Sequence, residues 1–289
     1  MTQIKLAAAP ISWGVCEVPD WGLQLAPDRV LADMRALGVH ATEAGPPGFL
    51  PADPAAARAL LDSCGLRLIG GFVTAVLHES GRRAEELASV KRQAEWLAAG
   101  GAEFLVLAPA LAQTGYSGAA EIPDAAWPTL FDGIDRVAEI ADSAGLGVAV
   151  HPHWGTAIER RHHIERFLNG STHALCLDTG HIALGGADPL SVARDAGPRV
   201  RHVHLKDVDG ALGARVRDGS LLYNDAVRAG LFRPLGEGVA RISDVLDELR
   251  KTAYAGWYVL EQDVMLDREP APGPPEWIAR STAFARKHG

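Results

Sequence analysis

The stretch VAVHPHWGT, residues 148–156, runs from apolar and small positions into His151, Pro152, His153 and Trp154 before the breaker Gly155. Its first half has the composition of a strand buried on both faces, as in a parallel sheet. Its second half ends that strand in two imidazoles. A lone buried histidine is ordinarily a core residue with a hydrogen-bond partner. These two are not alone, because eight of the eleven histidines fall between residues 151 and 204.

Working outward, seven more runs share the pattern: IKLAAAP (4–10), VHATEAG (39–45), LRLIGGFV (66–73), EFLVLAP (103–109), HALCLDTGH (173–181), VRHVHLKDV (200–208) and GWYVLEQDV (256–264), beside GVAVHPH (147–153) itself. Helical periods separate them, among them PDRVLADMRALG (27–38), PAAARALLDSCG (54–65), RRAEELASVKRQAEWLAAGG (82–101) and LFDGIDRVAEIADSAG (130–145). Several close on glycine, as helix ends do. Strands alternating with helices imply a parallel sheet. Eight such units in 289 residues predict an α/β fold, a single (β/α)8 TIM barrel over residues 1–289, with an open doubly wound sheet as the alternative. No Gly/Ser-rich or Pro-rich linker divides the chain. Residues 209–235 read as a βα loop with one short helix, and DREPAPGPPEW (267–277) as a turn before a closing helix, WIARSTAFARKHG.

Composition narrows the class. With 47% hydrophobic and 22% charged residues the chain has the make-up of a folded globular protein. Lys plus Arg number 28 against 36 acidic residues, a net charge of -8 with no basic stripe, which disfavours nucleic acid as a partner. The N-terminal stretch MTQIKLAAAPISWG lacks a signal-peptide pattern and no 18-residue apolar run occurs, so no membrane partner is expected. Cys16, Cys64 and Cys176 lack CxxC spacing, and a cytoplasmic protein with free thiols is the default.

In a parallel barrel every strand delivers its last residues to one face. Those residues are Glu43 on the second strand, His151 and His153 on the fifth, Asp178 and His181 on the sixth, His204 and Lys206 on the seventh, and Glu261 on the eighth. Two neutral imidazoles and two carboxylates are a donor set for a divalent transition ion, with positions left for water or substrate oxygens. Mn²⁺, Co²⁺, Fe²⁺ or Zn²⁺ suits that mixed set better than Ca²⁺. The groups meet only if the barrel closes. His162, His163, His173 and His202 carry less weight, and His202, on the same face as His204 but deeper, reads as a hydrogen-bonded core residue.

CLDTGH (176–181), RHVHLKDV (201–208), PLGEGV (234–239) and GWYVLEQD (256–263) resemble the xylose-isomerase-like family of TIM barrels. APISWG (9–14), TEAGPPGFLP (42–51) and HPHWGT (151–156) are similar to its inosose dehydratase branch, and the likeness spans essentially the whole chain. The resemblance implies one divalent metal, Mn²⁺ or Co²⁺ first with Zn²⁺, Fe²⁺ or Mg²⁺ as alternatives, held by His151, Asp178, His204 and Glu261, with His181 as a substrate-contacting histidine. Family epimerases and isomerases usually carry Glu where this chain has His151, so their symmetric pair of carboxylates is missing and elimination is favoured. Glu159 restores the pair only by folding back.

The implied reaction is dehydration of a cyclic polyol ketone such as 2-keto-myo-inositol, by α-proton removal and loss of the β-hydroxyl; the alternative is a metal-dependent isomerase or epimerase of a sugar or keto-polyol. Glu261, Glu43, His181 and Lys206 are the expected proton-transfer groups, and His153, Trp13 and Trp154 the expected substrate contacts, with core packing the other reading for the tryptophans. Lys206 and Asp207 read equally as a strand-end ion pair, and GEG (236–238) as a turn. The expected partner is a small polyol ketone or sugar, in a monomer or homo-oligomer. A metal-dependent nuclease and a catalytically silent sugar-binding subunit are the more distant rivals.

Overall fold

The computed structural model describes residues 4–112 and 121–289. The domain expected over 1–289 and the N-terminal stretch therefore each include residues outside that description. Strands β1 (Lys5–Ala8), β2 (Ala41–Glu43), β3 (Arg67–Ala75), β4 (Phe104–Pro109), β5 (Gly147–Val150), β6 (Ala174–Asp178), β7 (Val200–Leu205) and β10 (Trp257–Leu260) pair in parallel around a closed ring. β1 closes it on β10 through the register Lys5↔Trp257 to Ala8↔Leu260. Two short strands outside the barrel, β8 (Asp207–Val208) and β9 (Phe232–Arg233), form an antiparallel ribbon. The (β/α)8 TIM barrel read from the sequence is the fold observed.

The helices lie where the 3.6 period places them. α1 is Pro27–Ala36, α2 Pro54–Ser63, α3 Arg83–Gly100 and α4 Trp127–Ser143. α2 starts where the Asp53 carboxylate accepts the Ala56 amide at 3.0 Å, satisfying an otherwise orphaned donor. α4 buries Leu130, Ile134, Val137 and Ala141 along one face, each large side chain contributing about 1.5–3 kcal/mol by leaving water. α5 (Arg161–Gly170), α6 (Thr179–Leu184), α7 (Pro189–Ala196), α8 (Gly210–Arg217), α9 (Tyr223–Arg228), α10 (Ile242–Lys251) and α11 (Glu276–His288) complete the order. Among the described residues no helix is long and apolar enough to cross a membrane.

Two readings change. The sixth strand stops at Asp178 instead of running to 181, because Asp178 caps α6: its Oδ1 accepts the His181 amide at 2.7 Å. His181 thus sits on the first turn of a helix. Residues 209–235 hold two helices and strand β9 in place of one short helix. Pairing of β9 with β8 is non-local and leaves no periodic signal in so short a run.

Most of the core fills the shell between strands and helices, where Leu105, Leu107, Leu175, Leu177, Val203 and Leu205 are buried. Inside the barrel the side chains are smaller: Ala7, Ala41, Ile69 and Val259 form one apolar cluster, Val106, Ala149 and Cys176 another. The polar groups described next stand on this apolar layer.

Candidate active site

Period-two alternation builds the site. Two residues beyond inward-facing Ala41, Ala149, Cys176, His202 and Val259 come Glu43, His151, Asp178, His204 and Glu261, all toward the C-terminal mouth. Register fixes neighbours, since Asp178 pairs with His204 and His204 with Val259. Glu43 enters through a bulge between Thr42 and Glu43 that sets it opposite Gly70. A Cβ at Gly70 would come within 3.8 Å of its carboxylate.

His151, Asp178, His204 and Glu261 offer ligand atoms that all lie within 4.8 Å of one another. His151 Nε2 is 3.2 Å from Asp178 Oδ2. His204 Nδ1 is 2.5 Å from Glu261 Oε2 and 3.6 Å from Asp178 Oδ2. His204 Nδ1 and Glu261 Oε2 are nonetheless buried without a hydrogen bond of ordinary geometry. Buried polar atoms close together but not bonded to each other suit a shared cation, and two imidazoles with two carboxylates suit a divalent ion. Burial opposes charge on His204, yet the carboxylates of Glu261 and Glu43 outweigh it and push its pKa well above the usual histidine range. The groups around it thus favour positive charge at this point.

Lys206 is 1% exposed. Its Nζ lies 2.7 Å from Asp263 Oδ1, 3.5 Å from Glu261 Oε2 and 3.7 Å from Asp178 Oδ2. Burial works against its charge, but Asp263, Glu261 and Asp178 outweigh it and hold the ammonium protonated. Tyr223 donates to Asp263 Oδ2 at 2.8 Å. His181 Nε2 is 3.0 Å from the Lys206 ammonium, and the His153 and His181 rings lie 3.7 Å apart. Burial pushes both histidines well below their usual range, so both are neutral.

The mouth opens into a cavity of about 740 Å³ on whose wall Glu43, His153, Glu261, Asp263 and Tyr223 stand. The sequence pattern of the xylose isomerase-like TIM barrel matches residues 31–288. The chain belongs to the xylose isomerase-like TIM barrel family. An inosose dehydratase of Geobacillus kaustophilus is 29% identical over 291 residues, covering 97% of this chain and 92% of that protein. The rhizopine catabolism protein MocC of Rhizobium meliloti is 31% identical over 271 residues, covering 91% and 82%. Among solved structures, the probable 3-DHS dehydratase AsbF of Bacillus anthracis superposes with a TM-score of 0.71 at 16% identity, over 97% of this chain and 98% of that one. D-allulose 3-epimerase from Methylomonas sp. gives 0.70 at 16%, over 99% and 98%. At such identities these two structures speak for the shared fold alone.

Within this family barrel the remaining candidates fall into place. Trp13 is fully buried and donates to Asp33 Oδ2 at 3.2 Å, and Trp154 packs with Trp21 and Leu184 under the Arg160 guanidinium. Neither tryptophan lines the cavity; Phe72, Trp21 and Trp96 supply aromatic wall instead. Trp154 acts through its backbone: its carbonyl accepts from His153 Nδ1 at 2.7 Å and its amide lies 3.3 Å from His181 Nδ1. Lys206 does not pair with Asp207. That carboxylate accepts the amides of Gly236, Gly238 and Ala240 at 2.9–3.0 Å, so the GEG turn is closed on a carboxylate. Glu159 remains in its own loop, accepting from Gly155 and pairing with Arg160. Burial pushes the Cys176 thiol up to about 11, which keeps it protonated.

Asp263 and Tyr223 escaped the sequence reading. Asp263 shares a face with Glu261 by strand period, a signal that was available; Tyr223 lies on α9, far from any strand end. A further group, Glu121, His162 and His163, also gathers donors. There His163 Nδ1 accepts the amides of Glu159 and Arg160 at 3.3 and 3.1 Å, which puts its proton on Nε2 facing Glu121. Its lone pair is already engaged.

Proposed function

We propose that this chain dehydrates a cyclic polyol ketone of the inosose type, removing a proton α to the carbonyl and expelling the β-hydroxyl as water. The near full-length likeness to inosose dehydratases carries the reading, and the groups at the barrel mouth support it. His151, Asp178, His204 and Glu261 would hold one divalent ion, with Mn²⁺ or Co²⁺ best matched to the mixed donors. When bound, that ion supplies Lewis acidity toward the ketone and its neighbouring hydroxyl.

The chain's own groups do the rest. His153 donates its Nδ1 proton to the Trp154 carbonyl, which places its basic lone pair on Nε2. It and Glu261 are the bases on the cavity wall that take the α-proton. The Lys206 ammonium, pinned between three carboxylates, is a fixed positive charge where negative charge develops, needing no reorganisation. The departing hydroxyl takes its proton from Tyr223 on the cavity wall, which the phenolate regains from water, while Lys206 keeps its charge beside Asp263 and offsets the negative charge left there. A positioned acid or base of this kind is worth roughly 100- to 10,000-fold. The three unpaired cysteines support a reducing, cytoplasmic setting.

The test is conversion of 2-keto-myo-inositol by the Mn²⁺-loaded protein, followed by ultraviolet absorbance of a conjugated product and by product mass. Loss of one water, abolished by chelator and by Glu261→Gln, is expected. An unchanged mass with a new isomer would move the assignment to an isomerase or epimerase.

A further inference from the structure

Glu43 lies on the cavity wall, where a proton-transfer role is the natural reading. Its hydrogen bonds say otherwise. Oε1 is 2.7 Å from His202 Nε2 and 3.0 Å from His204 Nε2, and Glu43 is 3% exposed. One carboxylate oxygen thus receives both imidazoles of β7. His204 turns its other nitrogen, Nδ1, toward Glu261 and Asp178, and that atom makes no hydrogen bond of ordinary geometry. In a neutral imidazole one nitrogen carries the proton and the other the lone pair. With Nε2–H donated to Glu43, Nδ1 is the nitrogen whose proton a cation held beside Glu261 and Asp178 would displace, leaving its lone pair for that ion.

We infer that Glu43 is a positioning residue: it anchors Nε2–H of His204 so that Nδ1 is the metal ligand, while His202 holds the carboxylate in place from the layer below. The inference rests on the metal centre proposed above. A carboxylate behind a ligating histidine fixes the ring's tautomer and orientation and raises its basicity. His202 acts one step further out, its ring 5.6 Å from that of Phe104 in the barrel interior. This also accounts for a histidine in an otherwise apolar layer. Glu43, His202 and His204 themselves lie close enough to hold an ion. The shared Oε1 explains their closeness with two ordinary N–H donors, and no second cation is required.

Mn²⁺ titration of the wild type, Glu43→Gln and Glu43→Ala, with kcat measured at saturating Mn²⁺ for each, tests the assignment. The wild type should bind one ion. Removing the carboxylate should weaken binding about 10- to 100-fold, with Gln, which still accepts a hydrogen bond, between Ala and wild type. At saturating Mn²⁺, kcat should recover to within a few-fold. Unchanged affinity with kcat still down by about 100-fold or more would make Glu43 a proton-transfer group and overturn the inference. A second bound ion that disappears in Glu43→Gln would overturn it too. Should Glu43→Ala fail to fold, the wild type loaded with ¹¹³Cd²⁺ still decides: ¹¹³Cd–¹⁵N coupling to His204 Nδ1 is expected, and coupling to Nε2 refutes the arrangement. A wild type that binds no divalent ion would instead refute the metal centre itself.

Discussion

Lys206 is the residue on which most of the site's charge converges. A buried ion pair is weak evidence of stability, but removing one partner leaves an uncompensated charge and costs about 3–5 kcal/mol. Lys206→Met is therefore expected to lose stability of that order in urea unfolding with chelator present, and Lys206→Met with Asp263→Asn to regain part of it while remaining inactive. Equal stability of the single variant and wild type would show that Asp263 is not charged opposite Lys206. Glu159 bears a different burden. Burial pushes its carboxyl up to about 7, against the pull of Gly155 and Arg160. The unfolded chain releases that proton at about 4.3, so between the two values the folded state binds more protons and stability falls as pH rises, by at most about 1.4 kcal/mol per pH unit. Glu159→Gln should remove this slope, its midpoint of unfolding gaining on the wild type from about pH 4.5 to 7 and running parallel above. Parallel curves across the whole range would mean that Glu159 is ionised throughout.

At the scale of elements, α6 ties the sixth strand to the seventh. Asp178 caps it, and Thr179 Oγ1 donates to the Lys206 carbonyl at 2.7 Å while accepting the Lys206 amide at 2.9 Å. A Cβ at Gly180 would fall 2.4 Å from Lys206 Cγ. Thr179→Val, nearly isosteric, strands two backbone groups and should cost about 1–3 kcal/mol for each left unsatisfied. Gly180→Ala overpacks a fully buried stem and should cost about 1–3 kcal/mol; both are read by thermal or urea unfolding, and a wild-type midpoint in either would show that α6 moves freely against β7. The same motif measures how much was legible in the sequence. The eight strands were readable because apolar runs and helical periods are local signals, and Asp178 stood out as a carboxylate at a strand end. The work of Thr179 and Gly180 was not readable, since their partner is Lys206, a neighbour only after the strands pair. His181 falls on a helix rather than a strand for a related reason: the local sequence continues the apolar run past Asp178, and only the cap bond to the His181 amide shows that α6 begins there. Trp13 and Trp154 illustrate the limit at the mouth, where strand period says which face a side chain takes but loop geometry decides what it touches.

Over the whole molecule the four proposed ligands stand at the ends of β5, β6, β7 and β10, so an ion bound among them would crosslink a continuous arc of the barrel. Without a cation, the carboxylates of Asp178 and Glu261 lean on Lys206 and His204 for compensation. A ligand that binds only the folded state stabilises it by about 2.7 kcal/mol at a free concentration a hundred times its Kd. For a chain of this size that amounts to roughly 5 °C in Tm. Mn²⁺ or Co²⁺ should therefore raise Tm by about this amount, in calorimetry against a chelated control, and Ca²⁺ by much less, since two of the four donors are imidazole nitrogens. Asp178→Asn and His151→Ala should abolish the shift; His162→Ala, in the outer cluster whose histidine lone pair is already engaged, should retain it. The outer-cluster variant separates the barrel mouth from surface binding. If His162→Ala alone removed the stabilisation, the ion would be acting at α5, and the convergence at the strand ends would have to be explained by the ion pairs of Lys206 and His204 alone.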